Sequence, residues 1–303
     1  MANSIATKLA AGMRRSIRPG VIKLRDFVLG RPSARKLLAE VKTVESLVAT
    51  GHDPLHAAYT CGQNYLSVFA ELASHLPEFK EYRAIAGNAE ETYLPGWPPM
   101  SPVSQSYFTC WSFLDLPFGT EAETICSVAI EIGRHFGMPA DFALTLEAMS
   151  ESAMGIYEHL GWHEGKVGLR DIVDGVIYPC VVPSNYQGRA GELWFVRLLP
   201  PLGAAFDYGV AFTSPYILVD TTKADWLAFF ERQERQLPLR LTAADQAAHR
   251  KALLKRGLEP NYWSEYIFLA YHDAQDSAIS LCGIPDLPHS LPHADLSHDG
   301  DEE

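Results

Sequence analysis

The spacing of apolar residues changes twice along this 303-residue chain, from about four to two near residue 166 and back near residue 222. Apolar residues three or four apart form one stripe of a helix, whereas alternation forms one face of a strand. Helices, then strands, then helices define an α+β fold. The expectation is a helical N-terminal half, a small, strongly twisted mixed or antiparallel sheet over about 166–219, and a C-terminal helical cover. A last strand, "SAISLCG", can return to the sheet.

Stop and start signals divide the first half. Ser33 caps a helix through Leu37, Leu38, Val41, Val44 and Val48, ended by Gly51. Asp53-Pro54, a cap followed by a first-turn proline, opens the next, which runs to Pro77. Residues 93–104, "YLPGWPPMSPVS", form an ordered loop. Thr120 with Glu123 reads as a capping box before Ile125–Phe136, and Pro139–Leu160 reads as one further helix.

"KVGLRDIV", the turn pair Asp174-Gly175 and "VIYPCVV" predict a hairpin. "ELWFVRLL" is apolar on both faces and therefore a covered strand, in which Arg197 needs an acid such as Glu192 or Asp171. "YGVAFTSPYILV" supplies one more strand. Thr222 with Asp225 and Thr242 with Asp245 mark two acidic capping boxes, and "NYWSEYIFLAYHD" a third C-terminal helix. The expected organisation is a basic amphipathic arm (1–32), a helical region (33–163), a β region (164–220), a helical cover with a strand (221–283) and an acidic disordered tail (284–303). Residues 33–283 are expected to form one continuous unit.

Charge is segregated. Of 25 basic and 37 acidic residues, nine basic ones and only Asp26 among the acids lie within 1–36. The rest carries 16 against 36, a balance of −20 within a net charge of −12. Such a body repels nucleic acid and anionic membranes, so contact with either falls to the arm, through Arg14, Arg15 and Arg18. Folding of the arm onto its own acidic body is the plainer expectation. Five scattered cysteines without a CxxC pair, and no apolar run of about 18 residues, point to a reducing cytoplasm and no membrane span.

Chemistry-bearing residues are sparse. Cys110 is the best nucleophile, although its flanks Phe108, Trp111 and Phe113 favour a core position. The histidine pairs 52/56, 159/163 and 289/293 are each broken by a cap, a glycine or a proline, so neither a metal site nor a cofactor is expected. A concave ligand site is placed between the 93–104 loop and 150–163, lined by Trp97, Tyr107, Cys110, Trp111, Ser152 and Tyr157. The functional expectation is a cytoplasmic, non-catalytic binding or adaptor protein with a protein partner. The alternative is a cysteine- or metal-dependent hydrolase near Cys110 and 150–163.

Overall fold

A computed structural model describes residues 4–16, 36, 42–93, 104–237, 242–256, 271–274 and 277–287. The chain is α+β with a mixed sheet. Its contacts define two compact units. One comprises Met1–Glu91, Phe108–Ser152 and Leu199–Val210; the other comprises Thr92–Tyr107, Ala153–Leu198 and Ala211–Glu303.

The first unit is helical, with α1 (Ile5–Ser16), α2 (Val44–Ala49), α3 (Pro54–Ala73), α4 (Lys80–Tyr93), α6 (Ile125–His135) and α7 (Ala140–Glu151). A further helix, α5 (Gln105–Cys110), runs into a wide turn at Trp111–Asp115. Asp53 caps α3 as expected: its carboxylate accepts the N–H groups of Leu55 and His56, with Pro54 in the first turn. The same carboxylate accepts the Tyr208 hydroxyl at 2.7 Å. The Tyr59 hydroxyl donates to Pro200 O at 2.6 Å, so two bonds hold the 199–210 segment on α3. Leu55, Tyr59, Leu66, Phe79, Phe118, Ile125 and Leu146 form the core.

The cap of α6 differs from expectation. Thr124 and Ser127 make its capping box, not Thr120 and Glu123. Glu123 instead serves α1: its carboxylate accepts the N–H groups of Ile5 at 2.6 Å and Ala6 at 3.2 Å. Ile5, Ala6, Leu9 and Ala10 are buried, α1 packs on α6, and Thr7 donates to Glu131. The apolar side of the amphipathic arm, Ile5, Ala6, Leu9 and Ala10, thus lies against the protein's own helix. A carboxylate on first-turn donors also complements the helix dipole. Glu123→Ala is expected to weaken the docking of α1 by about 2 kcal/mol. Amide exchange at Lys8–Ala10 should accelerate while that in α3 stays unchanged.

The second unit holds β1 (Met154–His163), β2 (Lys166–Asp171), β3 (Ile177–Val181), β4 (Leu193–Leu199), β6 (Tyr216–Leu218), β7 (Tyr271–Ala274) and β8 (Ile279–Leu281), with β5 (Gly209–Ala211) at the junction of the segments. The order is β1-β2-β3-β5-β4-β6-β8-β7. Because β1 also pairs antiparallel with β4, the first five strands close on themselves as a small barrel. Closure needs β1 to be long: its first half pairs with β4 and its second half with β2, with a register shift between His159 and Trp162. Tyr157, Val167, Leu169, Cys180, Trp194, Val196 and Ala211 fill the interior.

Three expectations are corrected. The helix read over 139–160 ends at Glu151, and Met154 onward is strand β1, so the sheet starts ten residues early. Both faces of β1 are apolar at its start, which hides a period of two. The helix read across "NYWSEYIFLAYHD" gives way to strand at Tyr271–Ala274; residues 257–270 lie outside those described. The acidic tail is anchored at its root, where Ile284 is buried and Asp286 accepts two bonds of 2.7 Å from Arg232. Other expectations hold. The Asp174-Gly175 hairpin joins β2 and β3, β8 pairs parallel with β6, and both acidic capping boxes open α8 (Lys223–Arg235) and α9 (Ala243–Arg256).

Candidate functional site

The segment joining β3 to β4, residues 182–192, crosses the barrel as a strap. Asn185, Gly188 and Gly191 adopt positive φ, so the strap turns tightly without secondary structure. Both ends of its last turn are fixed to one residue of β1: His159 N–H donates to Glu192 O at 2.9 Å, and Gly191 N–H donates to His159 O at 2.8 Å.

Beneath the strap lies an aromatic cluster. The ring of Trp194 is 4.9 Å from that of His159 and 5.4 Å from that of Tyr186, and Trp162 lies 6.5 Å from His159. Glu192 accepts the Trp194 indole N–H at 3.0 Å and the Tyr186 hydroxyl at 3.3 Å. Burial, reinforced by that carboxylate, pushes the Tyr186 hydroxyl up to about 12. Gln187 O accepts the Trp162 indole N–H and faces Nε2 of His159 at 3.2 Å. These rings touch one another and Trp194 is fully buried, so the cluster closes the barrel rather than lining an open cage.

The β2–β3 turn is different. Val173, Val176, Ile177 and Tyr178 lie around this turn, each at least 37% exposed; Trp162, opposite Val167 at the other end of β2, is exposed to the same degree. They make up half of the exposed large hydrophobic residues among those described. Scattered exposed apolar residues are ordinary, but four close together at one turn, with a Tyr among them, have the composition of a contact surface. Asp171 accepts the N–H groups of Val173 and Asp174, and Asp174 accepts that of Val176, so the turn presenting the patch is held in shape and bears two carboxyl groups. Burial raises Asp171 above the usual carboxylate range.

A third feature is an open cleft of about 400 Å³ in the first unit, between α6 and α7. Glu131, Arg134 and His135 face Glu147, Ser150 and Glu151 across it, and Arg134 pairs with Glu147. Glu147 and Glu151, which share a helical face in the sequence, both line this cleft.

The residues expected to line a ligand site occupy several places. Trp97 and Arg18 lie outside the described residues, as do the side chains of Arg14 and Arg15 in α1. Tyr107 is buried, its ring edge-on to Tyr216 at 5.8 Å. Cys110 is 3% exposed at the end of α5, and Trp111 packs 5.7 Å from Phe108. Ser152 donates to Met149 O at 2.6 Å and terminates α7. Tyr157 points into the barrel and meets Tyr178 edge-on at 6.1 Å. Arg197 is fully buried with its backbone N–H on Thr213. The two acids named for it are engaged elsewhere, Glu192 with Trp194 and Tyr186, and Asp171 with its own turn.

Among the described residues, no group of three or more His, Cys, Asp or Glu side chains is arranged to hold a metal ion, and no helix is long and apolar enough to cross a membrane. Protein-family models, curated proteins and solved structures give no significant match to the chain. The sequence reads the strap, through Gly188 and Gly191, as a tight connection feeding a covered strand, and does not single out the hairpin patch. The available signal was "GVIYPCVV", where residues on both faces of the strand are apolar.

Proposed function

We propose that this chain is a non-catalytic binding or adaptor protein of the cytoplasm, and that its β2–β3 hairpin receives a basic, apolar face of a protein partner. The observation carrying this reading is the exposure of Val173, Val176, Ile177 and Tyr178 around the β2–β3 turn. Burying such side chains gives about 25 cal/mol per Å² of apolar area removed from water, and Tyr and Trp are enriched where interfaces draw most of their energy. Charge sets the partner's sign: the chain outside residues 1–36 carries a balance of −20, and Asp171 and Asp174 lie at the patch itself. A basic partner is steered in, and an acidic one is repelled.

The test replaces Tyr178 with benzoylphenylalanine in the full chain, expressed in its own host and irradiated there. One discrete adduct with a basic polypeptide is expected. In extracts, its yield should fall as salt rises above about 0.15 M, where screening acts within about 8 Å. Ile177→Asp should abolish the adduct without altering the far-ultraviolet circular dichroism. The same probe at Leu144, 60% exposed on α7, should give none. Equal, salt-independent adducts from both positions would overturn the reading.

A further inference from the structure

We propose that His159 is a proton-operated latch: a proton taken up at Nδ1 releases the 182–192 strap from the barrel mouth and uncovers Trp194. The geometry fixes the ring's protonation state. Nδ1 lies 3.0 Å from Gly161 N, whose hydrogen it accepts, so Nδ1 carries no proton of its own. The ring is then neutral, with its hydrogen on Nε2 donated to Gln187 O at 3.2 Å. That carbonyl also holds the Trp162 indole, and the backbone of His159 ties the strap at Gly191 and Glu192. One residue therefore anchors the strap through both its backbone and its ring.

Imidazolium has two donors and no acceptor. Its new Nδ1–H would point at the N–H of Gly161, in a residue only 1% exposed. The ring must swing away, and Gln187 O is left with the Trp162 indole alone. Burial holds the imidazole below its ordinary value, while Gln187 O and Glu192 pull in the opposite direction.

Few charges oppose or assist the event. On β1, Glu158 is paired with Arg170 of β2, and His163 sits beside Glu164 at the exposed end of the hairpin. The β2 residue opposite His159 is Leu169. From the strap and β4, Tyr186 is tied to Glu192, whose carboxylate already serves Trp194, and Arg189 is exposed. Helix α9, which packs on β1, carries Asp245, His249, Arg250 and Lys251; Asp245 closes its own cap and Arg250 pairs with Glu234. Glu192 is the charged group felt by the ring.

The test is hydrogen exchange of the full chain, as protection factors corrected for intrinsic rate, from about pH 8 to about pH 5, a span around the ordinary histidine value of about 6.5. Protection at Gly191 and His159 should fall at least about tenfold over that span, the equivalent of one pKa unit, while that of Val128 and Ile132 in α6 stays constant. His159→Gln, which stays neutral and keeps a donor and an acceptor, should remove the pH response, and His163→Gln should preserve it. Imidazole NMR of the unmutated chain gives an independent readout should the first variant fail to fold: the His159 resonance should titrate together with loss of strap protection. The latch is overturned if His159 titrates while the strap stays protected, if the ring does not titrate before global unfolding, or if folded His159→Gln keeps the response.

Discussion

Trp194→Ala is expected to remove about 3–5 kcal/mol of stability from the barrel, the range for deleting a large aromatic side chain from a packed core. Trp194 is fully buried on β4 and shares the barrel interior with Val167, Leu169, Cys180 and Val196. It also supports the strap. The rings of Tyr186 and His159 lie against it, and its indole N–H holds Glu192 at 3.0 Å. Alanine removes the filling of the barrel and the shelf on which the strap rests. Trp194→Phe keeps most of the apolar volume and loses mainly the hydrogen bond, so about 1–2 kcal/mol is expected there. Because the contacts divide the chain into two units, one unfolding midpoint need not describe both. Urea unfolding should be followed by exchange at Leu169 and Val196 for the barrel, with Leu66 in α3 as the reference. A loss below about 1 kcal/mol for alanine would mean that the interior collapses around the gap, and that Trp194 is not what holds the barrel open.

Local chemistry was legible in the sequence, and closure was not. Asp53-Pro54, Thr222 with Asp225, Thr242 with Asp245 and Asp174-Gly175 act within four residues, and the structure places each where the pattern does. The Thr120–Glu123 reading failed because a second cap, Thr124 with Ser127, lies one step along, and Glu123 answers to a helix 118 residues away. Strand β1 was hidden for a similar reason. In "MGIYEHLGWH" the first four residues, Met154 to Tyr157, are all buried, so burial on both faces erases alternation, and His159 with His163 imitates helical spacing. The strap cluster joins His159 and Trp162 to Gln187, 28 and 25 residues on. Nothing local distinguishes a carbonyl that will receive an indole and an imidazole from any other carbonyl in a loop. The exposed patch was ambiguous too, because an apolar strand reads alike whether a helix, a partner or water lies outside it.

Gly188→Ala should cost about 2–4 kcal/mol, and the origin of that loss can be separated experimentally. Gly188 has φ +59°, where an L side chain carries a penalty of about 1 kcal/mol. A Cβ there would lie 2.5 Å from Cζ2 of Trp194, 3.0 Å from Oε2 of Glu192 and 3.1 Å from Cδ2 of His159. Trp194 cannot retreat, being held by Glu192 and flanked by Tyr186 and His159, so the strap must lift, at a further cost of about 1–3 kcal/mol for overpacking. Gly191 supplies the control. Its φ is +94° and no atom lies within 4 Å of its would-be Cβ, so Gly191→Ala should show the backbone penalty alone. In a Trp194→Ala background the nearest obstacle to a Cβ at 188 is gone, and Gly188→Ala should fall to about the Gly191→Ala value, a coupling of at least about 1 kcal/mol. Equal losses in both backgrounds would place the strain in the strap's backbone and remove Trp194 as the surface on which it is seated.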